Sequence, residues 1–295
     1  MVEVTVLSGK GGTGKTTLTA ALAHLAQDGL ICDLDVDAPD LHLLLHPRHL
    51  REEEFISGHE AVVRPELCQG CGLCREVCGF GAVTLEGSLA RIDPLACEGC
   101  KVCVSLCPEE AIAFPERDCG RWYVSTTRFG PLVHAPLFPG QENSGLLVSI
   151  RRKEARELAQ EKGLNLILSD GPPGIGCPVI SSLTGTDLAV VVTEPTPSGV
   201  HDLERILDLS DHFKVPAGVI INKADLNQDQ AGAIRSMARV RGLTILAELD
   251  HDLAMTEAMV QGQAITEYQP HGPLAELIGR AWQGILSLVG QKQAA

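Results

Sequence analysis

The run Ser8-Gly9-Lys10-Gly11-Gly12-Thr13-Gly14-Lys15-Thr16-Thr17 restricts what this chain can fold into more than any other stretch. It follows an alternating apolar segment, Val2, Val4, Val6 and Leu7, and precedes Leu18, Ala21, Leu22, Leu25 and Ala26 at helical spacing. Strand, glycine loop and helix in that order make a phosphate cradle. Gly9 and Gly14 bracket the four residues of G-x-x-x-x-G-K-[ST], so backbone N–H groups line a concavity and the positive end of the helix dipole faces the phosphates. Gly11, Gly12 and Thr13 form the loop, Lys15 reaches the β- and γ-phosphates, the Thr16 hydroxyl holds Mg2+, and Thr17 completes the helix start.

Lys10 departs from the general motif, because it puts a second cation where Lys15 already serves the bound phosphates. Lys10 to Thr17 resembles the deviant P-loop of the MinD/ParA/nitrogenase iron protein superfamily. That resemblance implies a homodimer closed by ATP, with Lys10 reaching the partner's phosphates as an arginine finger does elsewhere. Further along, Asp35 and Asp37 follow a short strand predicted over 30–34. They resemble the superfamily's first switch, which assigns the attacking water to Asp37. Leu164 to Ser169 reads as a buried strand ending in Asp170, and Asp170-Gly171-Pro172-Pro173-Gly174 has the place of a Mg2+-holding aspartate followed by a γ-phosphate-sensing turn. Two further strand–helix units lead to Asn222-Lys223-Ala224-Asp225, where Asn222 is placed on the nucleobase. The same tetrapeptide matches the guanine-reading N-K-x-D, so GTP stands as the alternative to ATP.

Between these motifs the composition changes. Cys68, Cys71, Cys74 and Cys78 recur 29 residues later as Cys97, Cys100, Cys103 and Cys107, and Ala82-Val83 recurs as Ala111-Ile112. Two copies of C-x2-C-x2-C-x3-C form the bacterial two-cluster ferredoxin pattern, in which the fourth cysteine of each run ligates the other cluster. Cluster I then takes Cys68, Cys71, Cys74 and Cys107, and cluster II takes Cys97, Cys100, Cys103 and Cys78. Zinc is the competing metal, but its modules usually carry two separated cysteine pairs. Pro108 follows the second run as that pattern expects, whereas Gly79 follows the first. The third segment, 119–150, carries no assignable chemistry; Trp122 to Val124 could open a strand, and Phe129 to Gly145 reads as loop. A surface helix is predicted over 150–162. Cys177 reads as a small buried side chain at a helix start, with a third, dimer-bridging cluster involving Cys119 or Cys32 as the alternative.

These motifs predict an α/β P-loop fold of the MinD type, a mostly parallel sheet flanked by helices, interrupted by a small α+β ferredoxin-like domain. The expected boundaries are 1–59 and 118–295 for the ATPase and 60–117 for the insertion. A net charge of −14 argues against nucleic acid as a partner. No apolar run reaches membrane-spanning length, and the C-terminal apolar stripe from Leu274 to Leu288 reads as a core-packing helix. Glu3 in the first strand is unlike a signal segment, and 11 cysteines in a reducing compartment suit metal binding, so a cytoplasmic location is expected. The function expected is an ATP-dependent dimer that couples nucleotide state, through Mg2+-ATP, to electron transfer by two 4Fe-4S clusters, with a redox or cluster-accepting protein as partner. The alternatives are a cluster carrier of the Mrp type and a redox-sensing regulatory ATPase. No cysteine follows Cys177, which counts against the C-terminal C-x-x-C of Mrp-type carriers.

Overall fold

The computed structural model describes residues 1–138 and 144–294. The chain begins with β1 (Val2–Ser8), the P-loop, α1 (Lys15–Ala26), β2 (Leu30–Asp33), α2 (Leu41–Leu45) and β3 (Arg48–His59). The cysteine-rich stretch supplies β4 (Val62–Val63), α3 (Leu73–Glu76), β5 (Val83–Glu86), β6 (Leu89–Ile92), α4 (Val102–Leu106) and β7 (Ile112–Ala113). The remainder is β8 (Glu116–Thr127), β9 (Gly130–His134), α5 (Ser144–Glu161), β10 (Leu166–Pro173), α6 (Cys177–Leu183), β11 (Leu188–Thr193) and α7 (Pro197–His212). It closes with β12 (Ala217–Asn222), α8 (Gln228–Val240), β13 (Thr244–Leu249), α9 (Leu253–Val260), α10 (Ile265–Tyr268) and α11 (Pro273–Ala294).

Nine strands form one sheet in the order β13-β12-β11-β1-β10-β2-β9-β8-β3. The strands pair in parallel from β13 across to β9, and β8 returns antiparallel to β9. A parallel sheet needs helical crossovers and is covered on both faces, so its central strands are buried throughout rather than alternating. In β1 even Glu3 and Thr5 are buried; Glu3 is satisfied by Arg152 at 2.5 Å and Arg156 at 2.6 Å. On one face α1 and α11 pack Leu18, Leu22, Ile278, Ala281 and Ile285 against Val4, Val6 and Leu168. The C-terminal helix is therefore part of the core, and among the described residues no helix is long and apolar enough to cross a membrane.

Two readings from sequence are corrected. Residues 130–134 are not loop but β9, and Leu132 and Val133 in it are fully buried beside β2. Gly130 and Pro131 mask the strand, yet proline is tolerated where a strand begins. The helix read as superficial starts earlier, at Ser144, and buries Leu147, Val148, Arg151, Arg152, Ala155 and Ala159. Its Arg151 guanidinium lies 3.5 Å over the Trp122 ring, so a charged residue is spent on an interior face. Of the predicted loop, 144–145 open α5 and 139–143 lie outside the described residues.

The chain divides into two compact units, a larger one of Met1–Glu53, Trp122–Pro136 and the chain from Ser144, and a smaller one of Glu54–Arg121 with the return from Leu137. The smaller unit repeats itself with the offset of its cysteines. Helix α3 begins at Leu73 and α4 at Val102, each after a left-handed residue, Gly72 at φ 84° and Lys101 at φ 68°. Its strands make two antiparallel pairs, β4 with β7 and β5 with β6.

Candidate functional site

The P-loop of the larger unit leaves β1 at the centre of the sheet, on the carboxyl edge where an open α/β sheet binds ligands. Gly14 precedes α1 at φ 87°, and a Cβ there would lie 2.4 Å from Asn222 Nδ2, so both conformation and space demand glycine. Lys15 is buried, with Nζ 2.9 Å from Asp170 Oδ1 and 3.6 Å from Asp35 Oδ2. Thr16 Oγ1 donates to Asp170 Oδ2 at 2.7 Å, and Thr19 Oγ1 to Asp170 Oδ1 at 2.9 Å. Asp170 is brought here because β10 pairs β1 in parallel, with Val6 opposite Asp170. Beyond Asp170 the segment read as a turn continues as strand to Pro173, and Gly171 is required there because a Cβ would meet the Val6 carbonyl oxygen at 2.8 Å.

Burial penalises the Lys15 cation, but Asp170 and Asp35 outweigh it and its pKa is raised. Burial pushes Asp33 well above the usual carboxylate range, helped by Asp170; it pushes Asp35 up to about 6. A cluster of three acids around one lysine is thus short of positive charge, a setting that favours a divalent cation.

A cavity of about 570 Å³ is bordered by Gly11 to Thr17, Asp35, Asp40, Asn222, Lys223, Asp250 to Asp252 and Met255. Asn222 belongs to it, but its Nδ2 donates to the Thr13 carbonyl at 2.8 Å. Asp225 does not border it; its carboxylate is exposed and accepts the His251 N–H at 2.6 Å. Asp37 is exposed and does not border it either, whereas Asp35 does. Lys10 turns back onto its own chain, with Nζ 2.5 Å from Glu194 Oε1 and 3.2 Å from Ser198 Oγ. Glu194 is also 3.3 Å from Lys223 Nζ, and the two lysines outweigh its burial and lower its pKa. Glu194 and the Asp250 to Asp252 segment escaped the sequence reading. The signal was available, since Glu194 directly follows the buried strand β11 and Asp250 directly follows the end of β13.

In the smaller unit, Cys68, Cys71, Cys74 and Cys107 border one cavity together with Pro108. Cys78, Cys97, Cys100 and Cys103 border another. Each set mixes the two repeats. Among the described residues no three His, Cys, Asp or Glu side chains converge as ligands of a single metal ion. Cys177 is exposed at the first residue of α6, contrary to the buried side chain expected, because α6 presents its amino end outward; Cys119 and Cys32 are buried. Cys119 Sγ donates to the Ser57 carbonyl at 3.1 Å.

Comparison with known proteins agrees with the larger unit's architecture. An uncharacterized protein of Methanocaldococcus jannaschii is 34% identical over 77% of this chain and 80% of its own. A protein of Pyrococcus horikoshii named as an iron-sulfur cluster carrier is 22% identical over 90% of this chain and 80% of its own. Among solved structures, the septum site-determining protein MinD of Pyrococcus horikoshii, complexed with Mg-ADP, superposes with a TM-score of 0.62 at 17% identity, covering 99% of this chain and 98% of that one. The cell division ATPase MinD of Pyrococcus furiosus gives 0.60 at 19%, covering 97% and 99%. At such identities these structures speak for the fold alone. The sequence model of the CobQ/CobB/MinD/ParA nucleotide-binding domain matches residues 4–265, and the chain belongs to that family of P-loop ATPases.

Proposed function

We propose that this chain is an ATP-hydrolysing iron-sulfur protein in which nucleotide state and electron transfer through two 4Fe-4S clusters are coupled. The observation that carries the reading is the crossed partition of cysteines, four thiols around each of two cavities with one of each four drawn from the other repeat. Each cavity is bordered by four cysteines, three of them in a C-x2-C-x2-C run, the ligand number and spacing of a cubane, whereas zinc modules usually carry two separated pairs. When bound, such clusters supply one-electron transfer at low potential. The inserted ferredoxin-like domain is proposed over residues 60–117, within ATPase segments 1–59 and 118–295.

On the nucleotide, Lys15 and the P-loop N–H groups bind the phosphates, while Thr16 and Asp170 hold Mg2+, directly or through water. The water-positioning role goes to Asp35 rather than Asp37, since Asp35 borders the cavity beside Lys15 and its carboxyl is tuned towards neutral pH, as a general base requires. ATP is preferred to GTP because the Asp225 carboxylate, the guanine reader of the alternative, is engaged by the His251 amide. Asn222 steadies the loop at Thr13 while facing the base. Lys10 acts in trans in an ATP-closed homodimer, after leaving Glu194. Nucleic acid is disfavoured as a partner by the net charge of −14, and a cytoplasmic location suits oxygen-sensitive clusters.

The second reading, a carrier that loads and delivers clusters, is favoured by the name of the Pyrococcus relative. The deciding experiment is anaerobic: about eight iron and eight sulfide per chain are expected, and ATP affinity should differ between oxidised and dithionite-reduced protein by about 5- to 150-fold, the usual span of a coupling energy, with a reciprocal shift in potential. Zinc in place of iron removes the reading. Full iron with equal affinities, and iron lost to an apo-acceptor, favours the carrier.

A further inference from the structure

We infer that Arg117, aided by Lys101, makes the Cys78/Cys97/Cys100/Cys103 site the electron-holding one of the two, so that electrons pass towards it from the Cys68/Cys71/Cys74/Cys107 site. This rests on the iron-sulfur reading above. The internal repeat supplies its own control, since equivalent positions differ by 29 residues. Arg117 corresponds to Ser88, and Lys101 to Gly72. The acids at the two cavities balance, Glu109 at the first and Glu98 at the second. The cations do not.

Arg117 Nη2 donates to the carbonyl of Cys97, itself one of the four thiol residues, at 2.6 Å. Its side chain is only 13% exposed, and it forms a long ion pair with Glu60, at 3.8 Å from Nε. Its Nε is buried without a hydrogen-bond partner among the described residues. Glu60 offsets part of the charge, but on the Cys97 side, where Nη2 makes its hydrogen bond, the guanidinium is shielded from solvent and salt and keeps a positive field. Arg64, Arg75 and Arg91, the cations of the first repeat, are exposed, and none of them borders the first cavity. Lys101 borders the second cavity and holds a left-handed backbone that its counterpart Gly72 adopts without strain. Its Nζ lies 5.6 Å over the Phe114 ring, which keeps the charge beside the ligand loop rather than free in water.

Reduction adds one negative charge to a site, and a fixed cation stabilises the reduced form more than the oxidised one. With clusters in both sites, one electron would be lost by the first and gained by the second, and no atom or proton would move. The direction follows from Arg117 and Lys101 standing on one side only.

The test is an EPR-monitored redox titration of the anaerobically purified, iron-replete full chain. Two midpoints are expected in the wild type. Arg117→Gln should lower only the higher one, by at least about tenfold in reduced-to-oxidised ratio at fixed potential, which is 59 mV for one electron. Lys101→Gln should move the same midpoint in the same direction by less, and Arg117→Lys should restore most of the loss. If iron is retained and Arg117→Gln moves the lower midpoint, or neither, the inference fails while the cluster reading stands. If Arg117→Gln loses iron, the exposed Lys101→Gln decides alone, and an unmoved higher midpoint overturns the inference. Wild-type protein without iron fails the cluster reading itself.

Discussion

Asp35 and Asp37 lie two positions apart and share one motif, yet only Asp35 faces the P-loop lysine. The chain leaves the sheet after Asp33, whose Oδ1 accepts the Asp35 N–H at 3.1 Å, while Asp35 Oδ1 accepts the Ala38 N–H at 3.4 Å. These local turns curl the backbone so that strand alternation no longer says which acid points inward. Asp35→Asn is expected to slow ATP hydrolysis by at least about 100-fold, the usual worth of a positioned base, while Asp37→Asn leaves it within about threefold. The reverse result returns the role to Asp37. Asp35 titrates near 6 when folded, against 3.8 unfolded. The unfolded chain therefore releases this proton first, and stability falls as pH rises from about 4 to about 6. In the nucleotide-free protein Asp35→Asn should accordingly gain up to about 3 kcal/mol at pH 7, and nothing below pH 4, in urea denaturation. The cysteine quartets and the P-loop were legible in sequence because their chemistry needs residues only a few positions apart.

Strand β9 was illegible because a five-residue element opening with glycine and proline has no room for a period, and it is stabilised by its neighbours rather than by its own propensity. Its last residue shows how thoroughly it is buried. His134 donates to or accepts from Ser125 Oγ at 2.9 Å across the β8–β9 pair, and burial, then His49, His42 and Arg151, push its pKa down to about 3. The folded chain keeps His134 neutral where the unfolded chain, titrating near 6.5, takes up a proton. Its contribution is complete above about pH 6.5 and is lost as pH falls towards 3, at about 1.4 kcal/mol per pH unit. Between pH 7 and pH 5 that is about 2 kcal/mol, and His134→Gln should flatten this limb of the stability profile while costing stability at pH 7. An unchanged acid limb in the variant, measured by chemical denaturation at both pH values, would assign the loss to other groups.

At the level of the whole molecule, Lys10 connects the site to assembly. Held by Glu194 in the single chain, it cannot reach a second nucleotide without breaking that ion pair. Lys10→Ala should still bind Mg-ATP through Lys15 but remain monomeric with a non-hydrolysable analogue. Glu194→Gln should let the dimer form at several-fold lower protein concentration, since a partly exposed ion pair is worth up to about 1 kcal/mol. Sedimentation velocity reads both outcomes. A dimeric, fully active Lys10→Ala protein excludes the trans role, and equal association of Glu194→Gln shows that the pair does not restrain Lys10.

The amino-acid sequence by itself determined the α/β P-loop class, the phosphate-binding loop and which cysteines belong together in each repeat, because those features are local: consecutive residues supply the glycines, the helix start and the thiol spacing. Only the tertiary structure decided that Asp170 meets Lys15 and Thr16, that Asp35 rather than Asp37 borders the cavity, that Glu194 holds Lys10, and that Arg117 sits against Cys97. Each of these pairs is joined by strand register or by a turn between residues distant along the chain or not ordered by any period. A parallel sheet sets such meetings through its crossovers and burial, where neighbours in sequence carry no information about neighbours in space.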